Sequence, residues 1–319
     1  MLEKIKSVMI GHAVGDALGV PVEFASRKEL EETPVSDMEG FGTYPYPAGT
    51  WSDDTSMSIA ALDSLADGEI KWNEIMHNFG KWLSENEYTP SGETFDVGRT
   101  CLNAIVNYFN NDIKATESGG RDEHSNGNGS LMRIHPFVLY EYAKGTFDLN
   151  VIHKASALTH AHDRSRMACG IYAFVLWELL KNPQKSSVRL ALNRAMHYYN
   201  KFAENKKFAN LYRRIGLVTI HFEDADTFKR ANRDEIKGSG YVVDTLEAAI
   251  WCLLNTNSYK DCVLTAVNLG DDTDTVAAIA GGLAGALYGY DEIPENWRNT
   301  LIKREYIEEL CEKSANQWA

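Results

Sequence analysis

Gly270-Asp-Asp-Thr-Asp-Thr-Val-Ala-Ala-Ile-Ala-Gly-Gly-Leu-Ala-Gly-Ala-Leu-Tyr-Gly-Tyr290 decides the reading of the chain, because it sets a knot of carboxylates and hydroxyls directly ahead of an apolar, helix-like run. Glycine recurs in that run at every fourth position, Gly281, Gly285 and Gly289, which on a helix makes one stripe. Each glycine inside a soluble helix costs about 1 kcal/mol relative to alanine, so a stripe of them implies that another backbone comes close. A second stripe, Gly11, Gly15 and Gly19, lies near the other end of the chain. The two helices are predicted to lie deep and to pack together. Residues 276–290 fall short of the roughly 20 apolar residues that cross a bilayer, so no membrane span is expected.

Helix-like periodicity extends outward through windows at 4–18, 55–65, 72–85, 97–109, 151–158, 165–180, 188–202, 242–254, 261–268, 275–288 and 295–313. Strand-like alternation is scarce, no fixed period recurs, and no Pro/Ser-rich linker divides the chain. The pattern predicts an all-α fold in one compact domain, residues 1–319. Three long or Gly-rich connections, about 24–51, 118–130 and 205–240, are the places where a helical domain would carry function.

Against 45 Asp and Glu stand 32 Lys and Arg, a formal charge of −13, which excludes nucleic-acid binding through a broadly basic surface. Hydrophobic residues at 44% and charged residues at 24% are ordinary globular usage, enough for a large core and unlike a disordered acidic tail. The first residues lead into an apolar stretch broken by His12 and Asp16, a poor signal peptide, so export is not expected. Cys101, Cys169, Cys252, Cys262 and Cys311 are odd in number and form no CxxC. They read as reduced core thiols of a cytoplasmic protein.

A second acidic cluster, Gly49-Thr-Trp-Ser-Asp-Asp-Thr-Ser56, also precedes an apolar helical run. Helix capping alone would explain either cluster, since hydroxyls and acids in a first turn complement the helix dipole. The pair suggests more, because hydroxyls joined to adjacent carboxylates suit hard cations such as Mg²⁺ or Mn²⁺. If Asp53, Asp54, Asp272 and Asp274 converged within about 5 Å, each pair would repel by roughly 3 kcal/mol at an effective dielectric of about 20. All the pairs together would exceed a domain's net stability of roughly 5–15 kcal/mol, so convergence would require cations. Two divalent ions would balance four carboxylates and could bind a diol and activate water.

The stretch Gly119-Gly-Arg-Asp-Glu-His-Ser-Asn-Gly-Asn-Gly-Ser130 reads either as a flexible loop or as backbone N–H groups cradling a phosphate. His160 and His162 sit near a helix end, where a histidine caps or fills a core more often than it reacts. Neither belongs to an HExxH or Cys/His cluster, so zinc is not expected. Gly238-Ser-Gly-Tyr241 is either a plain loop ahead of a helix or the mouth of a nucleotide site.

Several segments together resemble the ADP-ribosylglycohydrolases, a family that includes the dinitrogenase reductase-activating glycohydrolases. They are Gly15-Asp-Ala-Leu-Gly-Val-Pro-Val-Glu23, Trp51-Ser-Asp-Asp-Thr55, Phe95-Asp-Val-Gly98, Gly127-Asn-Gly-Ser-Leu-Met-Arg133, Leu158-Thr-His160, Gly238-Ser-Gly-Tyr-Val-Val-Asp-Thr245 and Gly270-Asp-Asp-Thr-Asp-Thr275, in the family's order over about residues 8–290. The resemblance implies a compact orthogonal helical bundle with two Mg²⁺ or Mn²⁺ ions at its centre. It implies metal ligation by Ser52, Asp53, Asp54, Asp272, Asp274 and Thr275, and catalytic roles for Glu23, Asp54 and Asp96, with Glu23 on a mobile loop. Asn126, Gly127, Asn128, Gly129 and Ser130 would hold the pyrophosphate or ribose, supported by Met132 and Arg133. His160, Gly240 and Tyr241 would also meet the ligand, while His162 remains a cap or core residue.

Ser52 stands where many relatives carry threonine, and Asp271 where others often have glycine. The implied reaction is hydrolysis of mono-ADP-ribosylated arginine in a protein substrate, releasing ADP-ribose. Other ADP-ribose linkages (serine, O-acetyl-ADP-ribose, poly-ADP-ribose) and a non-catalytic, structural role are the alternatives. Residues 203–237 match none of the family segments and are a candidate for target selectivity.

Overall fold

The computed structural model describes residues 1–201, 210–212, 214 and 231–318, so most of the 203–237 segment lies outside the described residues. Helices make up the regular structure: α1 (Leu2–Gly19), α2 (Arg27–Glu32), α3 (Asp53–Leu65), α4 (Trp72–Glu85), α5 (Arg99–Asn110), α6 (His135–Ala143), α7 (Leu149–Ala157), α8 (Asp163–Lys181), α9 (Lys185–Asn200), α10 (Val242–Asn255), α11 (Tyr259–Val267), α12 (Thr273–Tyr288), α13 (Glu295–Thr300) and α14 (Arg304–Trp318). Among the described residues the only β pairing is two isolated bridges, Gly120 with His160 and Gly127 with Tyr241. The all-α expectation holds.

The two glycine stripes meet. A methyl group added at Gly15 would stand 2.1 Å from the Ala277 carbonyl oxygen, and one at Gly281 would stand 2.3 Å from that of Gly11, so α1 and α12 touch backbone to backbone. Gly19 extends the contact to the first turn of α12, where a methyl group would lie 2.3 Å from Asp274 Cα. Gly289 departs from the stripe: it lies past the end of α12 with φ +94° and ends the helix. Apolar residues surround α1 on all sides, and Val8 through Gly19 are all buried, as a helix without a polar face must be.

Other differences have local causes. The 295–313 window is two helices, because Ile302 leaves the helical path to donate its N–H to Gly49 O (3.0 Å) and accept from Trp51 Nε1 (2.8 Å). That contact fixes the chain immediately ahead of α3. Helix α6 begins on His135-Pro136, a proline start signal that lies outside the periodic windows. The short α2 lies in the 24–51 connection and carries a capping box between Ser26 and Glu29. All five cysteines are buried and unpaired. No helix among the described residues is long and apolar enough to cross a membrane.

Candidate active site

The site begins with a buried carboxylate in the middle of an apolar helix. Asp16 on α1 accepts from Ser52 N (2.9 and 3.1 Å), Thr55 N (3.0 Å) and Thr55 Oγ1 (2.6 Å), and so holds the first turn of α3 against α1. Gly19 brings the first turn of α12 to the same place, and Thr275 Oγ1 donates to Asp54 Oδ1 across the join (3.3 Å). The two acidic clusters therefore face each other although 221 positions separate Asp54 from Thr275.

Capping accounts for part of this arrangement. Ser52 is the N-cap of α3, its hydroxyl accepting from Asp54 N (3.3 Å). Asp272 occupies the N-cap position of α12 without capping it. Its Oδ2 instead accepts from Asn128 Nδ2 (3.0 Å). Glu23 Oε2, Asp54 Oδ2, Asp272 Oδ1 and Asp274 Oδ2 are buried carboxylate oxygens with no hydrogen-bond partner.

Two sets of three carboxylates come within 4.8 Å of one another, Asp16 with Asp54 and Asp274, and Glu23 with Asp96 and Asp274. At that separation two ionised carboxylates repel by about 3 kcal/mol at an effective dielectric of about 20. Burial first, and neighbouring carboxylates second, push Asp53, Asp54 and Asp274 well above the usual carboxylate range. Burial also raises Glu23 to about 8, with Asp96 adding to it, and Asp16 to about 6 against the pull of its hydrogen-bond donors. Orphaned oxygens, crowding and an all-oxygen donor set fit hard divalent cations.

Above these acids opens a cavity of about 330 Å³ whose lining includes Glu23, Asp53, Asp96, Asp272 and Thr275. Gly127, Asn128, Gly129 and His160 complete it, together with Gly98, Arg99, Thr100 and Cys101 around the start of α5. Glu23 follows a 3-10 turn and is buried, with its carbonyl accepting from Thr43 Oγ1 (2.7 Å). Asp96 adopts φ +53° and accepts from Tyr44 Oη (3.1 Å). Burial first, then the nearby Asp96 and Glu23 carboxylates, push the Tyr44 hydroxyl well above its usual range.

The Gly-rich segment is anchored from behind. Asn128 N donates to Gly240 O (3.0 Å), and Asn128 Nδ2 reaches both Asp272 and Thr245 Oγ1. Arg133 is fully buried and donates to Ala155 O (3.2 Å) and Thr159 Oγ1 (2.7 Å), a supporting role. Thr159 Oγ1 also bonds His160 Nδ1 (2.8 Å), leaving His160 Nε2 beside Gly127 and Gly129. Burial lowers His160 to about 3, so the ring is neutral near pH 7. His162 caps α8 through Arg164 N (3.1 Å).

Four of the anticipated ligand contacts lie outside the cavity lining. Asn126 bonds Glu123 O and Ser165 Oγ (both 3.1 Å). Ser130 is fully buried against Ser156 Oγ (2.9 Å) and Cys169. Gly240 serves as backbone acceptor for Asn128, and the Tyr241 ring lies beneath the Arg164 guanidinium (5.7 Å). Sequence reasoning in turn missed two residues. Asp16 had a visible signal, an acid within an apolar, glycine-striped helix; Tyr44, inside a long connection, had none. Asp271 adopts φ +64° and is exposed, which explains why glycine suits that position and why its carboxylate adds nothing to the cluster.

A family model described as ADP-ribosylglycohydrolase matches residues 1–319. An ADP-ribosylarginine hydrolase, Tri1, of Serratia proteamaculans strain 568 is 33% identical over 313 residues, covering 98% of this chain and 79% of that protein. An ADP-ribosyl-(dinitrogen reductase) glycohydrolase of Rhodospirillum rubrum is 31% identical over 310 residues, covering 95% of this chain and 92% of that protein. A solved structure of an ADP-ribosylglycohydrolase-related protein complex superposes with a TM-score of 0.79 at 28% identity, over 100% of this chain and 99% of that one.

Proposed function

The chain belongs to the ADP-ribosylglycohydrolase family, and from that membership we propose that it hydrolyses the N-glycosidic bond of mono-ADP-ribosylated arginine in proteins, releasing ADP-ribose. Supporting the linkage are relatives named for ADP-ribosylarginine and dinitrogen reductase. The observation that carries the chemistry is the set of four orphaned carboxylate oxygens, two on Glu23 and Asp272, which line the cavity, and two on Asp54 and Asp274, which belong to the converging carboxylate clusters.

Asp53, Asp54, Asp272 and Asp274, with the Ser52 and Thr275 hydroxyls, are the residues that would hold two Mg²⁺ or Mn²⁺ ions, and Asp16 orients the turn that carries three of them. Bound divalent cations supply charge that offsets the carboxylates and a Lewis acid for ribose hydroxyls and water. The acidic wall favours the oxocarbenium-like charge that develops at the anomeric carbon when a glycosidic bond breaks. Glu23 and Asp96, the latter accepting from Tyr44 Oη, are the groups for proton transfer to the departing guanidine and from the attacking water. The Gly127 and Gly129 backbone N–H groups and neutral His160 Nε2–H offer donors to ADP-ribose oxygens. Residues 1–319 act as one domain in this account, and the buried, unpaired cysteines accord with a cytoplasmic setting.

Side-by-side kinetics on peptides that differ only in carrying ADP-ribosylarginine or ADP-ribosylserine test the linkage. Faster release from arginine is expected. A kcat/KM favouring serine by tenfold, about 1.4 kcal/mol in transition-state stabilisation, would overturn the assignment.

A further inference from the structure

Phe24 combines three properties that nothing in the packing of the core requires. It is 68% exposed, it lines the cavity next to Glu23, and it holds φ +67°, a left-handed conformation that bulky side chains rarely adopt. The conformation is fixed from outside: Phe24 N donates to Asp271 O (2.7 Å), and Asp271 N donates back to Ala25 O (2.8 Å). The chain thus keeps a strained backbone in order to present an apolar ring to solvent at the cavity rim, a pattern associated with ligand contact.

The charge of the surroundings indicates which part of a ligand the ring meets. Of the acids that line the cavity with Phe24, Glu23 and Asp96 are the ones the proposed function leaves free of metal, whereas Arg99 and the start of α5, which has no side-chain cap, supply its positive elements. A pyrophosphate is drawn toward Arg99 and the α5 backbone and repelled by the carboxylates. A cation is drawn toward the carboxylates, and an aromatic face beside them binds a guanidinium through its quadrupole.

Resting on the arginine-linked reading, we infer that Phe24 is a specificity-determining residue whose ring face receives the guanidinium of the modified arginine. Phe41 provides an internal control. It shares the left-handed conformation (φ +58°) and is 73% exposed, but it lies outside the cavity lining.

The test measures KM and kcat on an ADP-ribosylarginine peptide, together with Kd for free ADP-ribose, which lacks the guanidinium. Because the cation is present before and during bond breaking, Phe24→Ala raises KM about fivefold or more with kcat within twofold, and leaves the ADP-ribose Kd unchanged. Phe24→Trp keeps KM near wild type, and Phe41→Ala changes neither constant. Phe24→Gly raises KM as Phe24→Ala does while its thermal midpoint stays at or above wild type, since glycine holds the same φ without strain. An unchanged KM in Phe24→Ala, an equal loss of ADP-ribose affinity, or a clearly lower midpoint for Phe24→Gly overturns the inference. A wild-type protein that leaves ADP-ribosylarginine uncleaved refutes the proposed function instead. The ratio of its Kd for ADP-ribosylarginine to that for ADP-ribose, compared with the ratio in Phe24→Ala, then decides the role of the ring.

Discussion

Replacing Asp54 with asparagine should stabilise the metal-free protein while abolishing turnover. Asp54 is fully buried, lies within 4.8 Å of Asp16 and Asp274, and has Oδ2 unpartnered. Its Oδ1 accepts from Thr275 Oγ1, a bond an amide oxygen keeps, while the new amide N–H₂ gains carboxylate acceptors. Two ionised neighbours would together cost about 7 kcal/mol at an effective dielectric of about 20, but protonation sets a lower ceiling. A carboxyl of ordinary pKa near 4 that must take up a proton to fold at pH 7 costs at most about 4 kcal/mol. Asp54→Asn is therefore expected to gain about 2–4 kcal/mol at pH 7, which for a chain of this length is roughly 3–6 °C in thermal midpoint.

The pH dependence carries its own sign. The folded-state pKa of Asp54 is raised, so the native protein binds more protons than the unfolded one, and wild-type stability falls as pH rises above about 4. The gain should be largest at pH 7–8 and vanish near pH 4. Burial-lowered histidines act in the opposite direction, His12 and His160 to about 3 and His153 to about 4. Their contribution is lost as pH falls below about 6.5, and it cancels between wild type and variant at one pH. Thermal melts of both proteins in EDTA across pH 4–8 measure the difference. A variant no more stable than wild type at pH 7–8, or one retaining wild-type turnover at limiting metal, would refute the reasoning and leave the acids as helix caps.

Asp16→Asn should have the opposite effect on stability, a loss of about 1–3 kcal/mol, because an amide nitrogen would face backbone N–H donors that the carboxylate now accepts; urea unfolding in EDTA shows the sign. Gly15→Ala sets a methyl group 2.1 Å from Ala277 O and should cost about 3 kcal/mol or more, measured as a lower urea midpoint with the slope unchanged. Tyr44→Phe removes the hydroxyl that donates to Asp96 and should lower kcat about tenfold with KM nearly unchanged, displacing the pH–rate profile. The His160 ring, neutral because burial lowers it to about 3, should show no titration by NMR between pH 5 and 8.

The fold was legible where one physical constraint forced one pattern. Gly11, Gly15, Gly281 and Gly285 are small because two backbones touch, and that requirement is written as a stripe. The acid clusters were legible as helix starts, but the stripe places only one of them, Gly19 sitting against Asp274, while the other is held by Asp16, which lies outside the stripe. Other features depend on contacts that no local pattern encodes. The break at Ile302 answers to Gly49 and Trp51, which are distant in sequence. The directions of Asn126 and Ser130, away from the cavity, depend on how the Gly-rich turn sits against Ser165 and Ser156. Tyr44 enters the site only because Thr43 and Gly42 dock on the segment ahead of Glu23.

Release of ADP-ribose from an ADP-ribosylarginine peptide by protein stripped with EDTA, before and after Mg²⁺ or Mn²⁺ is returned, tests the account most directly. The converging carboxylates predict negligible release from the stripped protein and recovery of most of the original rate on adding the cation, with no recovery for Asp54→Asn or Asp274→Asn. Undiminished release by the stripped protein, or equal recovery in the variants, would contradict a cation-dependent site at the meeting of α3 and α12.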